Sequence, residues 1–495
     1  MSNKQTRVRF APSPTGFLHV GGLRTALFNF LWAKKNKGDF ILRIEDTDRA
    51  REIAGATENI VATLKHFKLD FDEGPNLGDR NQESGVGKDK YGPFVQSQRL
   101  DIYNKHIQIL LDKGAAYKCY CTAERIDELK KQADASKVPF KYDKFCLKNP
   151  DPSAGSGSHN FVIRQNIPEQ GTVEFEDEVY GRIRVENRTL DDGVLIKSDG
   201  WPVYNFANVV DDHHMAITHV IRGEEFIAST PKHIHLYEAF GWPVPKFVHL
   251  PLLLSRERKK LSKRDGDVAV KEYLDKGYLP EALLNFVAFL GWNPKTEKEI
   301  FSLDELIAEF DLKKINRAGA VFDPDKLDWF NAQYLRNKTT AELVELVRPY
   351  LPVAAGEYPQ EFLAKIVEIE RERLKKLSEI GERTSYFFIE PQYDGELLKW
   401  KNASADELKS SLTAAKTMIS NFKSLISETE IEDNFLKRIG DADKGTMLWP
   451  LRVALSGLKA SPGPFEIIEA FMSLPKGKEI MAKRIDLALE KLAKL

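Results

Sequence analysis

The strongest constraint on the fold sits at the start of the chain. A short β-like segment, "RVRF", runs into "APSPTGFLHVGG" and from there directly into an apolar-periodic stretch. Pro12, Pro14, Gly16, Gly21 and Gly22 crowd around His19. Leu23, Leu27 and Leu31 then recur at i, i+4 and i+8, the spacing of one helix face, and Gly38 stands where a C-terminal cap is expected. A second β-like run, "FILRIEDTD", stops in a carboxylate-rich loop. Strand, glycine turn, helix and strand in that order open a doubly wound parallel sheet. The expected fold class is multidomain α/β, Rossmann-like at the N-terminus.

The turn also carries chemistry. Glycine at a helix N-terminus lets backbone N–H groups and the helix dipole approach an anion. A histidine ring can donate to phosphate oxygens whether neutral or charged. An isolated H-x-G-G is more often a plain tight turn, and the pattern matches neither common phosphate loop. The second piece is Lys260-Leu261-Ser262-Lys263-Arg264, just before Gly266. Two lysines three apart on a basic loop could close on a polyphosphate, where positioned cations and Mg²⁺ stabilise phosphoryl-transfer charge. Alone, it would read as a solvated basic turn.

At 495 residues the chain is too long for a single core. "KNPDPSAGSGSHN" marks a loop within an insertion between about Arg99 and Trp201, where β-like segments "VIRQN", "TVEFED" and "RIRVEN" resume. A second α/β stretch, "VYNFANVVDDHHMAITHVIRGEEF", returns towards the first. From Asn331 onward long helical patterns dominate, as in "EFLAKIVEIERERLKKLSEI". The formal net charge is -1, so nucleic-acid binding would have to rest on local patches. Three cysteines exclude a disulfide framework and fit a reducing compartment. Pro12 and Pro14 stand where a signal peptide needs an apolar run. Apolar runs such as "EALLNFVAFLGW" fall short of the roughly 20 residues that cross a bilayer. A cytoplasmic protein with no membrane partner is expected.

"PSPTGFLHVGG" followed far downstream by "KKLSKRDG" resembles the paired signatures of class I aminoacyl-tRNA synthetases. With "RFAPSPTGFLHVGGLRTALFNFLWA", "RIEDTD", "VYNFANVVDDH", "VIRGEEF", "GYLPEALLNF" and "LWPLRVALSG", the chain is similar to the bacterial glutamyl-tRNA synthetase family over nearly its whole length. The resemblance implies glutamate activation by ATP with Mg²⁺, then transfer to the 3′-terminal ribose of tRNA(Glu). Whether tRNA(Gln) is also an acceptor stays open. Such chemistry needs no protein nucleophile, because the substrate carboxylate is already ionised at pH 7.

The resemblance also implies site residues. Arg9, Ala11, Ser13, Glu45, Tyr204, Asn208 and Arg222 match the glutamate side. Thr15, His19, Gly21, Gly22, Glu225, Leu254 and Lys263 match the ATP side, with His19, Lys260 and Lys263 the catalytic candidates. It implies a monomer divided at 1–98 and 203–256 (the two catalytic halves), 99–202 (an acceptor-end insertion), 257–330 (a connecting domain) and 331–495 (a helical anticodon-binding half). Arg371, Arg373 and Arg383 are candidates for contacting anticodon bases by stacking and edge contacts. Activation that requires bound tRNA is a further implication.

Two other clusters attract notice. "DDHH", with His219 beyond, offers metal-ligand types, but adjacent His213 and His214 on an extended segment would point to opposite sides. Cys119, Cys121 and Cys146 match a zinc knob carried by some relatives of the resembled family, whose fourth ligand lies two residues past the third cysteine. Here Lys148, a poor zinc ligand, occupies that place. His159 or a water would have to complete a site that is normally closed by four protein ligands, so zinc is not expected. Of the rival readings, a glutaminyl enzyme is disfavoured by "APSPTG" and the helical C-terminal half. A truncated paralogue acting on a modified tRNA base lacks that half. A catalytically idle tRNA-binding protein tends to lose the ATP residues, and a metal hydrolase is more distant still.

Overall fold

The computed structural model describes residues 5–75, 91–149, 161–261, 269–352, 355–356, 358–423 and 426–495. They form two compact units: Met1–Tyr273 with Leu283–Pro324, and Leu274–Ala282 with Asp325–Leu495. The second unit therefore starts slightly ahead of the expected residue 331 and takes in a short segment from the expected connecting region.

In the first unit β1 (Arg7–Phe10) pairs in parallel with β2 (Asp39–Leu42), and α1 (Val20–Lys35) crosses between them. Every residue of β1 is buried, as a parallel strand covered on both faces must be. α2 (Ala56–His66) follows β2. The return half repeats the pattern, with α6 (Tyr204–His214), β8 (His219–Gly223), α7 (Thr230–Phe240) and β9 (Lys246–Leu250), β8 and β9 again parallel. β1 lies beside β8, and the Thr218 N–H donates to the Arg7 carbonyl at 2.9 Å. Two parallel β-α-β units meeting at β1 and β8 give the doubly wound arrangement expected from the opening motif.

The insertion carries α3 (Leu100–Asp112), β3 (Ala116–Cys119), α4 (Ala123–Ala135), α5 (Phe145–Lys148), β4 (Val162–Gln165), β5 (Thr172–Asp177), β6 (Gly181–Glu186) and β7 (Val194–Ile196). β3, β4 and β7 make an antiparallel sheet, with Tyr103, Leu110, Leu195, Phe206 and Leu236 in the core that joins it to α3, α6 and α7. The β5–β6 hairpin instead joins the catalytic sheet, giving the order β6-β5-β9-β8 with Asp177 opposite Phe247. Two short strands, β10 (Leu253–Leu254) and β11 (Ala320–Val321), pair in parallel beyond β9.

Two local expectations change. α1 ends at Lys35 with Asn36 as its cap, and Lys37 takes the left-handed turn at φ 51°. Gly38 is required for close approach instead: a Cβ there would stand 2.2 Å from the Thr6 carbonyl oxygen. His213 and His214 lie in the last turn of α6, not on an extended segment. They still diverge. His213 stacks on Trp242 at 3.8 Å, and His214 Nε2 meets His106 Nε2 at 3.1 Å.

The second unit is helical. Three of its helices, Thr340–Val347, Ala405–Asn421 and Glu428–Ile439, begin with reciprocal capping boxes: Thr339 with Glu342, Ser404 with Glu407, and Ser427 with Glu430. Each pair satisfies two otherwise orphaned backbone donors. Phe362, Phe387, Leu412, Leu451, Phe471 and Ile485 share one core, and Leu279, Leu335, Leu343, Leu363 and Leu377 share another. No helix among the described residues is long and apolar enough to cross a membrane.

Candidate active site

A cavity of about 720 Å³ opens at the carboxyl ends of β1 and β8, where ligands bind in open α/β sheets because the strand order reverses there. The turn after β1 forms one wall. Its carbonyls are held by extended neighbours: Arg43 N–H donates to Phe10 at 3.0 Å, Glu45 N–H to Pro12 at 3.0 Å and Ile53 N–H to Pro14 at 2.9 Å. His19 caps α1, its Nδ1 accepting the Gly22 N–H at 3.1 Å. That fixes Nδ1 as an acceptor, so the neutral ring carries its hydrogen on Nε2. The two glycines leave little room for a side chain as Leu18 and His19 now stand. A Cβ on Gly21 would lie 3.0 Å from the His19 ring, and one on Gly22 would lie 2.7 Å from Leu18 Cδ1.

Arg9, Ala11, Ser13, Thr15, His19, Gly21, Gly22, Glu45, Tyr204, Arg222, Glu225 and Lys260 all line this cavity. Residues from the start, middle and second half of the chain are thus brought to one wall. Glu225 fits because residue 223 is glycine: a Cβ there would fall 2.1 Å from the Glu225 carboxylate. Leu254 is not part of the lining, and its neighbours Leu252 and Leu253 are. Asn208 also stands back from it, one turn along α6 from Tyr204, with a buried Nδ2 that has no hydrogen-bond partner among the described residues. Lys263 lies outside the described residues. On either side of that stretch, Leu261 N–H donates to Leu253 and Val270 N–H to Leu18, both at 2.9 Å.

The two pocket arginines differ in their electrostatics. Arg9 Nε pairs with Asp212 Oδ1 at 3.0 Å, and its NH1 donates to the Ile221 carbonyl at 3.4 Å. Asp212 is shared with Arg43 at 2.6 Å, and Arg43 also pairs with Glu45 at 2.9 Å. All four groups are buried, and two positive charges balance two negative ones. Burial opposes ionisation of Asp212, yet Arg9 and Arg43 outweigh it and hold its pKa below the ordinary value. For Glu45 burial wins over Arg43, and its pKa is raised.

Arg222 has no such counter-ion among the described residues. Its Nε donates to His249 Nε2 at 3.2 Å, NH1 to Tyr204 Oη at 3.2 Å, and NH2 to Thr230 Oγ1 at 2.8 Å and to His233 Nδ1 at 3.2 Å. Burial, with Arg222 nearby, depresses the pKa of both histidines, so both rings are neutral acceptors towards it. Arg222 is 5% exposed, and its guanidinium lies over the Phe226 ring. A buried cation held only by neutral acceptors is suited to an anionic ligand.

Sequence reasoning missed Arg43, Asp212, Thr230, His233, His249 and Asp177. Arg43 could have been noticed as the residue two before Glu45 on an extended run, where both side chains share a face. In sequence, Asp211 and Asp212 read only as metal-ligand types. In the structure Asp211 accepts from Arg99 at 2.7 Å and from Tyr103 at 2.8 Å, while Asp212 binds the two arginines.

Residues 5–329 match the family described as "tRNA synthetases class I (E and Q), catalytic domain". Two relatives, from Clostridium tetani and Clostridium kluyveri, are 46% and 45% identical over 99% of this chain and 99% and 98% of their own, and both are named glutamate–tRNA ligase. This chain belongs to the glutamate–tRNA ligase family. A solved glutamate–tRNA ligase from Elizabethkingia meningosepticum, in complex with its amino acid, superposes with a TM-score of 0.85 at 36% identity, covering 99% of this chain and 100% of that one. The structure from Elizabethkingia anophelis gives the same TM-score over 98% of this chain. Residues 342–489 match an anticodon binding domain. The family places the glutamyl reading above its glutaminyl, idle and hydrolytic rivals.

Within the helical unit of this ligase, the three candidate arginines are each engaged. Arg371 donates to Thr340 Oγ1 at 2.5 Å, and its Nε is buried without a partner among the described residues. Arg373 donates to the Ile369 carbonyl at 2.9 Å, and Arg383 lies 3.7 Å from both Glu370 and Glu379. The basic face read from sequence is therefore interleaved with carboxylates.

The thiol cluster of the insertion was expected to lack a fourth zinc ligand because of Lys148. Cys119, Cys121 and Cys146 Sγ lie within 4.8 Å of one another, with Cys121 and Cys146 at 3.5 Å. The buried Tyr142 hydroxyl stands 3.3 Å from Cys119 Sγ and 3.2 Å from Cys121 Sγ. A tetrahedral zinc with sulfur at about 2.3 Å needs donor atoms roughly 3.8 Å apart. The Tyr142 hydroxyl is hydrogen-bonded to these sulfurs, and burial raises its pKa, so it is a neutral phenol and not one of zinc's usual ligands; three thiols alone leave one corner of a four-ligand site open. His159 lies outside the described residues.

Proposed function

We propose that this ligase joins glutamate to ATP at the β1/β8 cavity, forming glutamyl-adenylate and pyrophosphate, and then passes glutamate to the 3′-terminal ribose of tRNA(Glu). The observation that carries the reading is the pairing of two unlike arginines in one cavity beside the capped N-terminus of α1. Arg222, whose charge is met only by neutral groups, takes the side-chain carboxylate with Tyr204. Arg9, already balanced by Asp212, orients the other carboxylate, and Glu45 faces the ammonium group.

The attacking carboxylate needs no base, only placement against phosphorus. His19 Nε2–H, the backbone around Gly21 and Gly22, Thr15, Glu225 and Lys260 form the nucleotide side. Lys263 supplies a cation for the departing pyrophosphate. Mg²⁺ accompanies ATP and adds charge neutralisation there. Zinc is not part of this reading, because three thiols and a hydrogen-bonded phenol do not make the four-ligand set of a structural site.

Residues 99–202 contact the acceptor end of tRNA, and the helical unit contacts the anticodon, with Arg371, Arg373 and Arg383 as candidates once their present hydroxyl, carbonyl and carboxylate partners are exchanged for bases. A cytoplasmic monomer suits the three cysteines and the absence of an apolar spanning helix among the described residues. Charging assays on purified tRNA(Glu) and tRNA(Gln) test the reading. Incorporation of glutamate into the first supports it, and the second defines the acceptor set.

A further inference from the structure

We infer that Asp177 and His249 are positioning residues: they act through a fixed hydrogen-bond polarity to hold Arg222 for the substrate carboxylate. This rests on the reading of Arg222 given above. Neither residue lines the cavity. Asp177 comes from the hairpin of the insertion and His249 from β9, joined where β5 meets the catalytic sheet.

The polarity follows from donor counting. Asp177 Oδ1 accepts the backbone N–H of Val179 at 3.0 Å and of Tyr180 at 2.9 Å. Its Oδ2 accepts the His249 backbone N–H at 3.2 Å and meets ring Nδ1 at 2.6 Å. Both side chains are completely buried. An ionised carboxylate can only accept, so the ring hydrogen is fixed on Nδ1 and Nε2 is left as an acceptor. That acceptor faces Arg222 Nε–H.

His233 is fixed in the same sense: its Nε2 meets Asn205 Oδ1 at 2.8 Å, which leaves Nδ1 to accept from Arg222. With Thr230 and Tyr204 also accepting, four of the five guanidinium hydrogens are used and one on NH1 remains. A carboxylate bonded directly to Arg222 would cancel its charge and occupy two donors. Placing Asp177 behind an imidazole keeps the negative charge near while leaving the guanidinium cationic.

Asp177→Asn tests the chain of polarity. Its amide must turn NH₂ either towards two backbone N–H groups or towards His249. In the second case the ring hydrogen moves to Nε2, and N–H faces N–H at Arg222. His249→Leu removes the acceptor, whereas His249→Gln restores one at the same distance along the side chain. In charging assays, Asp177→Asn and His249→Leu are expected to raise the KM for glutamate by about tenfold or more with the KM for ATP unchanged, because a hydrogen bond to a charged group is lost. His249→Gln should return it to within about threefold.

Thermal melting accompanies each variant, since a merely structural role would lower the melting temperature without splitting the two KM values. Arg222→Ala separates the two layers. If it raises the KM for glutamate while Asp177→Asn and His249→Leu do not, the positioning role is overturned. If it leaves that KM unchanged, the pocket reading is overturned, and this inference with it. Should Asp177→Asn fail to fold, the contrast between His249→Leu and His249→Gln carries the test.

Discussion

Arg222→Ala should destroy the ability to prefer glutamate over glutamine, and the size of the effect follows from what surrounds the guanidinium. Glutamine has nearly the volume of glutamate but brings an NH₂ and no charge. Bound there, it would leave a buried cation with His249, Tyr204, Thr230 and His233 as its neutral partners. An uncompensated buried charge costs about 3–5 kcal/mol, a factor of several hundred to several thousand. Arg222→Ala is expected to lose about that much kcat/KM for glutamate and to shrink the glutamate/glutamine ratio. Its fold should survive, because its four direct partners are neutral and Asp177 stays bonded to His249 and to three backbone N–H groups. Arg9→Ala leaves Asp212 still paired with Arg43 at 2.6 Å. It should lose at least about a hundredfold in kcat/KM, for both amino acids alike. Charging kinetics with each amino acid, alongside thermal melts, decide the matter. A folded Arg222→Ala variant that keeps its discrimination and near-normal kcat/KM would refute the assignment.

Lys263→Ala should abolish aminoacylation at unchanged melting temperature, the loss of one cation at developing charge costing about 3–4 kcal/mol; a kcat within threefold of wild type would remove Lys263 from the mechanism. His219 is depressed to about 4, first by burial and then by Lys246. Between about pH 6.5 and 4 the unfolded chain therefore binds a proton that the folded chain refuses, and stability falls as pH drops through that window. His219→Gln should flatten this part of a urea-denaturation profile, and an unchanged slope would show that the residue is not responsible. Elemental analysis should find no stoichiometric zinc, because the three thiols lack a fourth zinc ligand. One zinc per chain, with activity lost on chelation, would contradict this.

The parts of this molecule legible in sequence are those whose physics is local. The turn around His19 and the Leu23/Leu27/Leu31 stripe each declare themselves within a few residues. Gly38 was identified as special for the wrong reason, because a clash with Thr6 leaves no mark on periodicity. Long-range pairings were opaque. Nothing near "DDHH" says that Asp212 will balance Arg9 and Arg43, and nothing near "TVEFED" says that Asp177 will reach a ring on β9. The hydrogen bonds between Tyr142 and the sulfurs are hidden for the same reason: its hydroxyl meets them only once β3 and α5 are packed together. Lys148 was judged from spacing alone.

The central claim is that the cavity between β1 and β8 ligates glutamate, and no other amino acid, to tRNA. Purified enzyme incubated with ATP, Mg²⁺, tRNA(Glu) and either labelled glutamate or labelled glutamine tests it in one experiment. The account predicts acid-precipitable glutamyl-tRNA, no glutaminyl-tRNA, and ATP–pyrophosphate exchange that appears only when tRNA is present. Glutaminyl-tRNA as the product, or no charging by a folded enzyme, would contradict it.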